Sequence, residues 1–146
     1  MFRFNLFLYA LPTEPLATVT QIVLANKTLD ALVTQQVDKN LMATTFEQAA
    51  QSLMLLPRMF FEMDGSFVWR GEQIKPDSTE PTNWQVDGMI YDIGGPIARV
   101  ELKGDCPVDS FERLIDCFQP AQQLLAYSQE HGHFIRVADI IQALRT

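Results

Sequence analysis

The chain has 146 residues, 47% of them hydrophobic and 20% charged, enough for one globular domain with its own core and far from the composition of disordered chains. Eighteen acidic against eleven basic side chains leave a formal net charge of −7, which weighs against nucleic-acid and anionic-membrane partners because such a surface repels phosphate. No run approaches the roughly 18 to 20 continuous apolar residues of a membrane span; the apolar start from Phe2 to Leu11 is broken by Arg3 and Asn5 and lacks a small-x-small cleavage site, so the chain reads as cytoplasmic.

Phe2, Phe4, Leu6 and Leu8 alternate with Arg3, Asn5, Phe7 and Tyr9, the period of two of a first strand. Pro12-Thr13-Glu14-Pro15 ends it and offers Thr13 as an N-cap. Leu16, Val19, Ile22 and Val23 then have helical spacing, and Thr28 restarts a short helix with Leu29, Leu32 and Val33 on one side. The β-favouring run Thr18-Val19-Thr20 stands against the first of these helices. Thr45-Phe46-Glu47-Gln48 is a capping box ahead of the stripe Phe46, Ala49, Ala50, Leu53 and Met54, which predicts a helix as far as Leu56, ended by Pro57.

Met59 to Met63 and Ser66 to Arg70 flank Asp64-Gly65, a two-residue hairpin signal that aligns Phe60 with Trp69 and Phe61 with Val68, apolar on both faces. Gly71 to Asn83 has no apolar rhythm and reads as an exposed loop. Trp84 to Gly104 reads as a longer hairpin whose register follows from parity, because residues directly opposite one another share a face. A two-residue Gly94-Gly95 turn would set Ile90 against Arg99 and mix apolar with charged groups. A loop of odd length sets Ile90 opposite Val100, Gly88 opposite Leu102, Met89 opposite Glu101 and Asp87 opposite Lys103, and separates the faces.

Asp109-Ser110-Phe111-Glu112 is a second capping box, followed by the stripe Phe111, Leu114, Ile115 and Phe118. Pro120 opens another helical segment through Leu124, Leu125 and Tyr127, stopped near Gly132. Phe134 to Val137 is a short last strand and Ala138 to Leu144 a closing helix. Cys106 and Cys117 flank a helix, beyond the ~7 Å limit for bridging, and read as two free thiols. The whole is a single α+β domain, a mainly antiparallel sheet of about five strands with helices chiefly on one face.

Asp87 followed by Glu101-Leu102-Lys103 on the paired strand resembles the motif of the restriction-endonuclease-like superfamily, an acid on one strand ahead of a Glu-x-Lys or Asp-x-Lys on the next. The resemblance implies Asp87 and Glu101 as Mg²⁺ ligands, Lys103 as the catalytic group that steers or activates water, and Glu47 in place of that superfamily's helical acid. A hard cation suits such oxygen ligands and lowers the pKa of bound water. Alternatively, Asp87 and Lys103 form a cross-strand ion pair on a solvated face, worth at most about 1 kcal/mol.

His131-Gly132-His133 offers either two metal ligands or a helix C-terminus with its glycine stop. Phe60, Trp69, Trp84 and Tyr91 mark a candidate interaction surface, with core packing the alternative for most of these rings and any exposed remainder the partner site. The block Phe60 to Glu72 with Trp84 to Gly104 also resembles small bacterial proteins, a likeness that implies no activity. Two functions are compatible with these residues. One is a non-enzymatic cytoplasmic interaction or regulatory protein that self-associates or binds a protein partner and needs no cofactor. The other is a Mg²⁺-dependent phosphodiester hydrolase, or a degenerate relative of one.

Overall fold

The structure, a computed structural model, describes residues 1–34, 37 and 40–145. These form nine strands, β1 (Phe2–Ala10), β2 (Ala17–Leu24), β3 (Lys27–Val33), β4 (Met59–Phe61), β5 (Ser66–Gln73), β6 (Thr82–Asp92), β7 (Ile97–Cys106), β8 (Leu124–Ser128) and β9 (His133–Arg136). The three α-helices are α1 (Phe46–Met54), α2 (Val108–Asp116) and α3 (Val137–Arg145). One antiparallel sheet runs in the order β2-β3-β9-β8-β1-β7-β6-β5-β4. Nine strands replace the expected five or so. Among the described residues, no helix is long and apolar enough to cross a membrane.

β1 sits at the centre, paired with β7 on one side and β8 on the other. Its even-numbered residues Phe4, Leu6, Leu8 and Ala10 are buried while Asn5, Phe7 and Tyr9 are half-buried, as the alternation requires. The opposed residues continue that buried face across the sheet, with Leu102 against Leu6, Val100 against Leu8 and Ala126 against Leu8 on the other flank. Ala49 and Leu53 of α1, Phe111, Leu114 and Ile115 of α2, and Val137, Ile140, Ile141 and Ala143 of α3 all join the hydrophobic cluster built on this face. α1 carries its expected capping box, in which Thr45 Oγ1 accepts from the Gln48 N–H (3.2 Å) and Gln48 Oε1 from the Thr45 N–H (3.0 Å).

The helices expected after Pro15 are strands instead. β2 and β3 form a hairpin across Ala25-Asn26, both with positive φ (51° and 64°), the backbone of a type I′ turn. Thr18, Val19, Thr20, Ile22 and Val23 are β-branched, and the strand propensity they share outweighs the helical spacing of four apolar residues. The helical segment expected after Pro120 is a 3₁₀ turn, Ala121–Gln123, running into β8. Leu124, Leu125 and Ala126 are all buried; an apolar run covered on both faces has no period of its own to tell strand from helix. α2 begins at Val108 with Pro107 at its N-cap and no side-chain cap bond. Asp109 of the expected box instead accepts from Arg145 of α3 at 2.8 Å.

The β4–β5 hairpin is one residue out of the expected register. Its loop has three residues, Met63-Asp64-Gly65, closed by the Glu62 N–H donating to Ser66 O (2.9 Å) and the Gly65 N–H to Glu62 O (3.0 Å), with Gly65 at φ 95°. The Asp64 carboxylate accepts from the Ser66 N–H (2.9 Å) and hydroxyl (2.6 Å), and these bonds hold it below the usual carboxylate range. Phe60 therefore pairs with Val68, and Phe61 with Phe67. A one-residue slip exchanges the faces: Phe61, Phe67 and Trp69 turn to the helices and Phe60 turns away. The strands on either side of the expected 71–83 loop also run further than expected, to Gln73 and from Thr82, so the connection is only residues 74–81.

Candidate functional site

The longer hairpin has the register that parity demands. Asp87 lies opposite Lys103, Gly88 opposite Leu102, Met89 opposite Glu101 and Ile90 opposite Val100. Its tip spans residues 93–96, where the Gly95 N–H donates to Asp92 Oδ2 at 3.0 Å. The shift between Tyr91, opposite Arg99, and Asp92, opposite Ile97, leaves Ala98 as the bulged residue that restores the odd parity.

The residues of β5, β6 and β7 that point away from the cluster make one mixed polar and aromatic surface with Asn5 and Phe7 of β1. Asp87, Glu101 and Lys103 line a shallow depression of about 270 Å³ there, together with Asn5, Phe7, Gly88, Met89, Leu102 and Gln129. Asp87 and Lys103 are exposed and Glu101 is half-buried. Glu101 is held by Arg99 at 3.9 Å, and Asp87 accepts from Gln85 Nε2 at 3.1 Å. The three motif residues thus share a face. Glu47, the helical acid of the resemblance, does not join them, because α1 packs on the cluster side of the sheet. Among the described residues, no group of three or more His, Cys, Asp or Glu is placed to hold a metal ion.

The four expected interaction residues divide evenly. Trp69 is only 1% and Trp84 7% exposed, their rings edge to face at 4.9 Å, and the Trp69 indole N–H donates to Pro57 O at 2.9 Å. Both belong to the core and leave the interaction surface. Phe60, 59% exposed, and Tyr91 stay on the face turned from the helices, each with an arginine over its ring. The Arg70 guanidinium lies 5.9 Å from the Phe60 centroid and that of Arg99 4.2 Å from Tyr91, a cation–π arrangement. Arg70 Nε also donates to Gln85 Oε1 at 3.0 Å, so Phe60, Arg70, Gln85 and Asp87 form a continuous line across β4, β5 and β6.

An aromatic row missed by the sequence reading extends this face. Phe7 stacks on Tyr127 at 6.4 Å, and Tyr127 meets Phe134 edge-on at 5.0 Å. All three are half-buried. The signal for Phe7 was present in the alternation of β1, but the misreading of β8 as helix hid its cross-strand partner Tyr127.

The remaining candidates carry no chemistry at this face. His131 lies in the turn between β8 and β9 rather than at a helix end, its Nδ1 at 2.8 Å from Ser128 Oγ. Cys106 and Cys117 are free and buried. Burial, with Asp105 and Asp116 adding to it, pushes their thiols up to about 12 and about 11, so both stay protonated at neutral pH. Compared with family models, curated proteins and solved structures, the chain matches none.

Proposed function

We propose that this protein is a non-enzymatic interaction or regulatory protein that self-associates and receives a protein partner on the sheet face turned away from the helices. The observation that carries this reading is the composition of that face: arginine over Phe60 and over Tyr91, beside the half-buried row Phe7, Tyr127 and Phe134. Aromatic residues and arginine supply most of the anchoring energy in protein interfaces, because each covers a large area with few rotamers to freeze and keeps a polar or charged handle. A net charge of −7 favours a partner with a basic rim. The test is capture by the immobilised full chain, compared with a Phe60→Ser/Tyr91→Ser variant. Proteins held by the wild type are expected to fall by about tenfold on the variant, the scale of a lost hot spot. Equal capture by both would count against this face.

A second reading is favoured by one observation, the sharing of one depression by Asp87, Glu101 and Lys103. Under it, Asp87 and Glu101 would hold Mg²⁺, whose chemistry there would be to activate a water, and Lys103 would orient a phosphodiester and that water. Mg²⁺ or Mn²⁺ titration followed by NMR is the check. Saturable shifts confined to Asp87, Met89, Glu101 and Lys103, and abolished in Asp87→Ala, are the expected outcome of this reading. A flat titration removes it.

A further inference from the structure

β2 lies at one end of the sheet, with β3 on one side and, among the described residues, no strand on the other. An edge strand presents a row of unpaired N–H and C=O groups, and proteins ordinarily blunt such edges with shortness, charge, proline or a bulge. The opposite edge is treated in this way. β4 is only three residues long, it is bounded by Arg58 and Glu62, and Arg58 pairs with Glu72 at 3.9 Å.

β2 is treated differently. Its eight residues, Ala17-Thr18-Val19-Thr20-Gln21-Ile22-Val23-Leu24, include no charge, proline or glycine, and Val19 and Val23 are 57% and 65% exposed. Its one blunting device is the bulge between Thr18 and Thr20, which leaves Thr20 to Leu24 regular. On a chain of net charge −7, two copies repel at most approaches. An uncharged edge is where a second copy meets no like charge directly opposite.

We propose that two copies of this chain pair antiparallel through β2, about a two-fold axis at Ile22, to form one continuous sheet. The register follows from the faces. Thr20 and Ile22 oppose Ala31 and Leu29 of the core cluster, whereas Gln21 and Val23 oppose Asp30 and Thr28 on the other side. Only a two-fold passing through a residue keeps like faces together, and Ile22 is the middle of the regular segment. Ile22 then meets its own copy, Gln21 meets Val23 of the second copy, and Thr20 meets Leu24. The exposed Val23 is covered without turning any core residue outward.

This pairing rests on the self-association in the reading above, and it leaves Phe60 and Tyr91 uncovered, so edge and face variants separate the two. Sedimentation equilibrium of the full chain is expected to give a monomer–dimer equilibrium whose dissociation constant rises about tenfold in Gln21→Lys/Val23→Lys, where ammonium groups stand opposite one another. Within each copy the new lysine at 21 gains Asp30 across the hairpin, the present partner of Gln21 Nε2 at 3.4 Å, so the fold is kept. Mild oxidation of a mixture of Gln21→Cys and Val23→Cys proteins is expected to give a covalent dimer that neither forms alone, since facing residues fall within disulfide range at about 5.5 Å between Cα atoms. The native cysteines are buried and stay out of the reaction. A wild type that is monomeric at every concentration, a dimer indifferent to the lysine pair, or equal cross-linking by a single variant would overturn the proposal. A dimer broken by Phe60→Ser/Tyr91→Ser instead would move the contact to the sheet face, overturning the edge while sparing the reading above.

Discussion

Gly104→Ala is expected to destabilise the protein by about 4 kcal/mol, combining the cost of a side chain in an unfavourable backbone region with that of an overpacked contact. Gly104 has φ 144°, and a Cβ there would lie 2.1 Å from the carbonyl oxygen of Gln85 and 2.9 Å from the Cα of Val86. Both atoms are backbone of β6, the strand hydrogen-bonded beside it, and neither can swing aside as a side-chain end could. Relief requires β6 and β7 to separate next to Cys106, whose far neighbour is Phe2 at the start of β1. Urea unfolding of the variant against the wild type measures the loss. Gly132→Ala is the control: its φ is 71°, but nothing lies within 4 Å of the added methyl, and only the left-handed cost of about 1 kcal/mol applies. A Gly104→Ala protein as stable as Gly132→Ala would contradict the close approach of β6 and β7.

The second large effect separates two aromatic residues nine positions apart. Trp69→Ala is expected to cost about 4 kcal/mol, since the ring is buried, packed edge-on against Trp84 and hydrogen-bonded to Pro57. Phe60→Ala is expected to stay within about 0.5 kcal/mol of the wild type, as an exposed position gives up little on truncation. The contrast reads out the hairpin register directly. With a two-residue turn, the two side chains would stand opposite one another on the same face and their truncations would resemble each other; with the three-residue loop ending at Gly65 they stand on opposite faces. Similar losses in denaturant unfolding would reject the three-residue loop.

The two hairpins show how far a pattern reaches. In β6 and β7 the charged residues Arg99, Glu101 and Lys103 alternate with Val100 and Leu102, so only one parity keeps the faces apart, and the placement of Asp87 against Lys103 is legible in the sequence. In β4 and β5 the residues Met59, Phe60, Phe61, Phe67, Val68 and Trp69 are apolar on both sides of the turn. Either parity then satisfies the pattern. Loop closure chose between them, through the left-handed Gly65 and the Asp64 carboxylate on Ser66. Aromatic type likewise leaves Trp69 and Trp84 open to core or interface: it says that a residue must be covered and leaves open by what.

What the amino-acid order determined by itself is the set of features whose physics is local or alternating. These are the α+β class, the capped helix after Thr45, the closing helix, the strand at the N-terminus and the shared face of Asp87, Glu101 and Lys103. Tertiary structure decided the rest. Leu124 to Tyr127 became a strand because β1 and β9 stand on either side to take its hydrogen bonds. Thr18 to Val23 became an edge because β3, and nothing described beyond it, pairs with that strand. A strand is stabilised by bonds to residues far away in the chain, so its existence and its neighbours depend on distant partners in a way that a helix, which bonds within itself, does not.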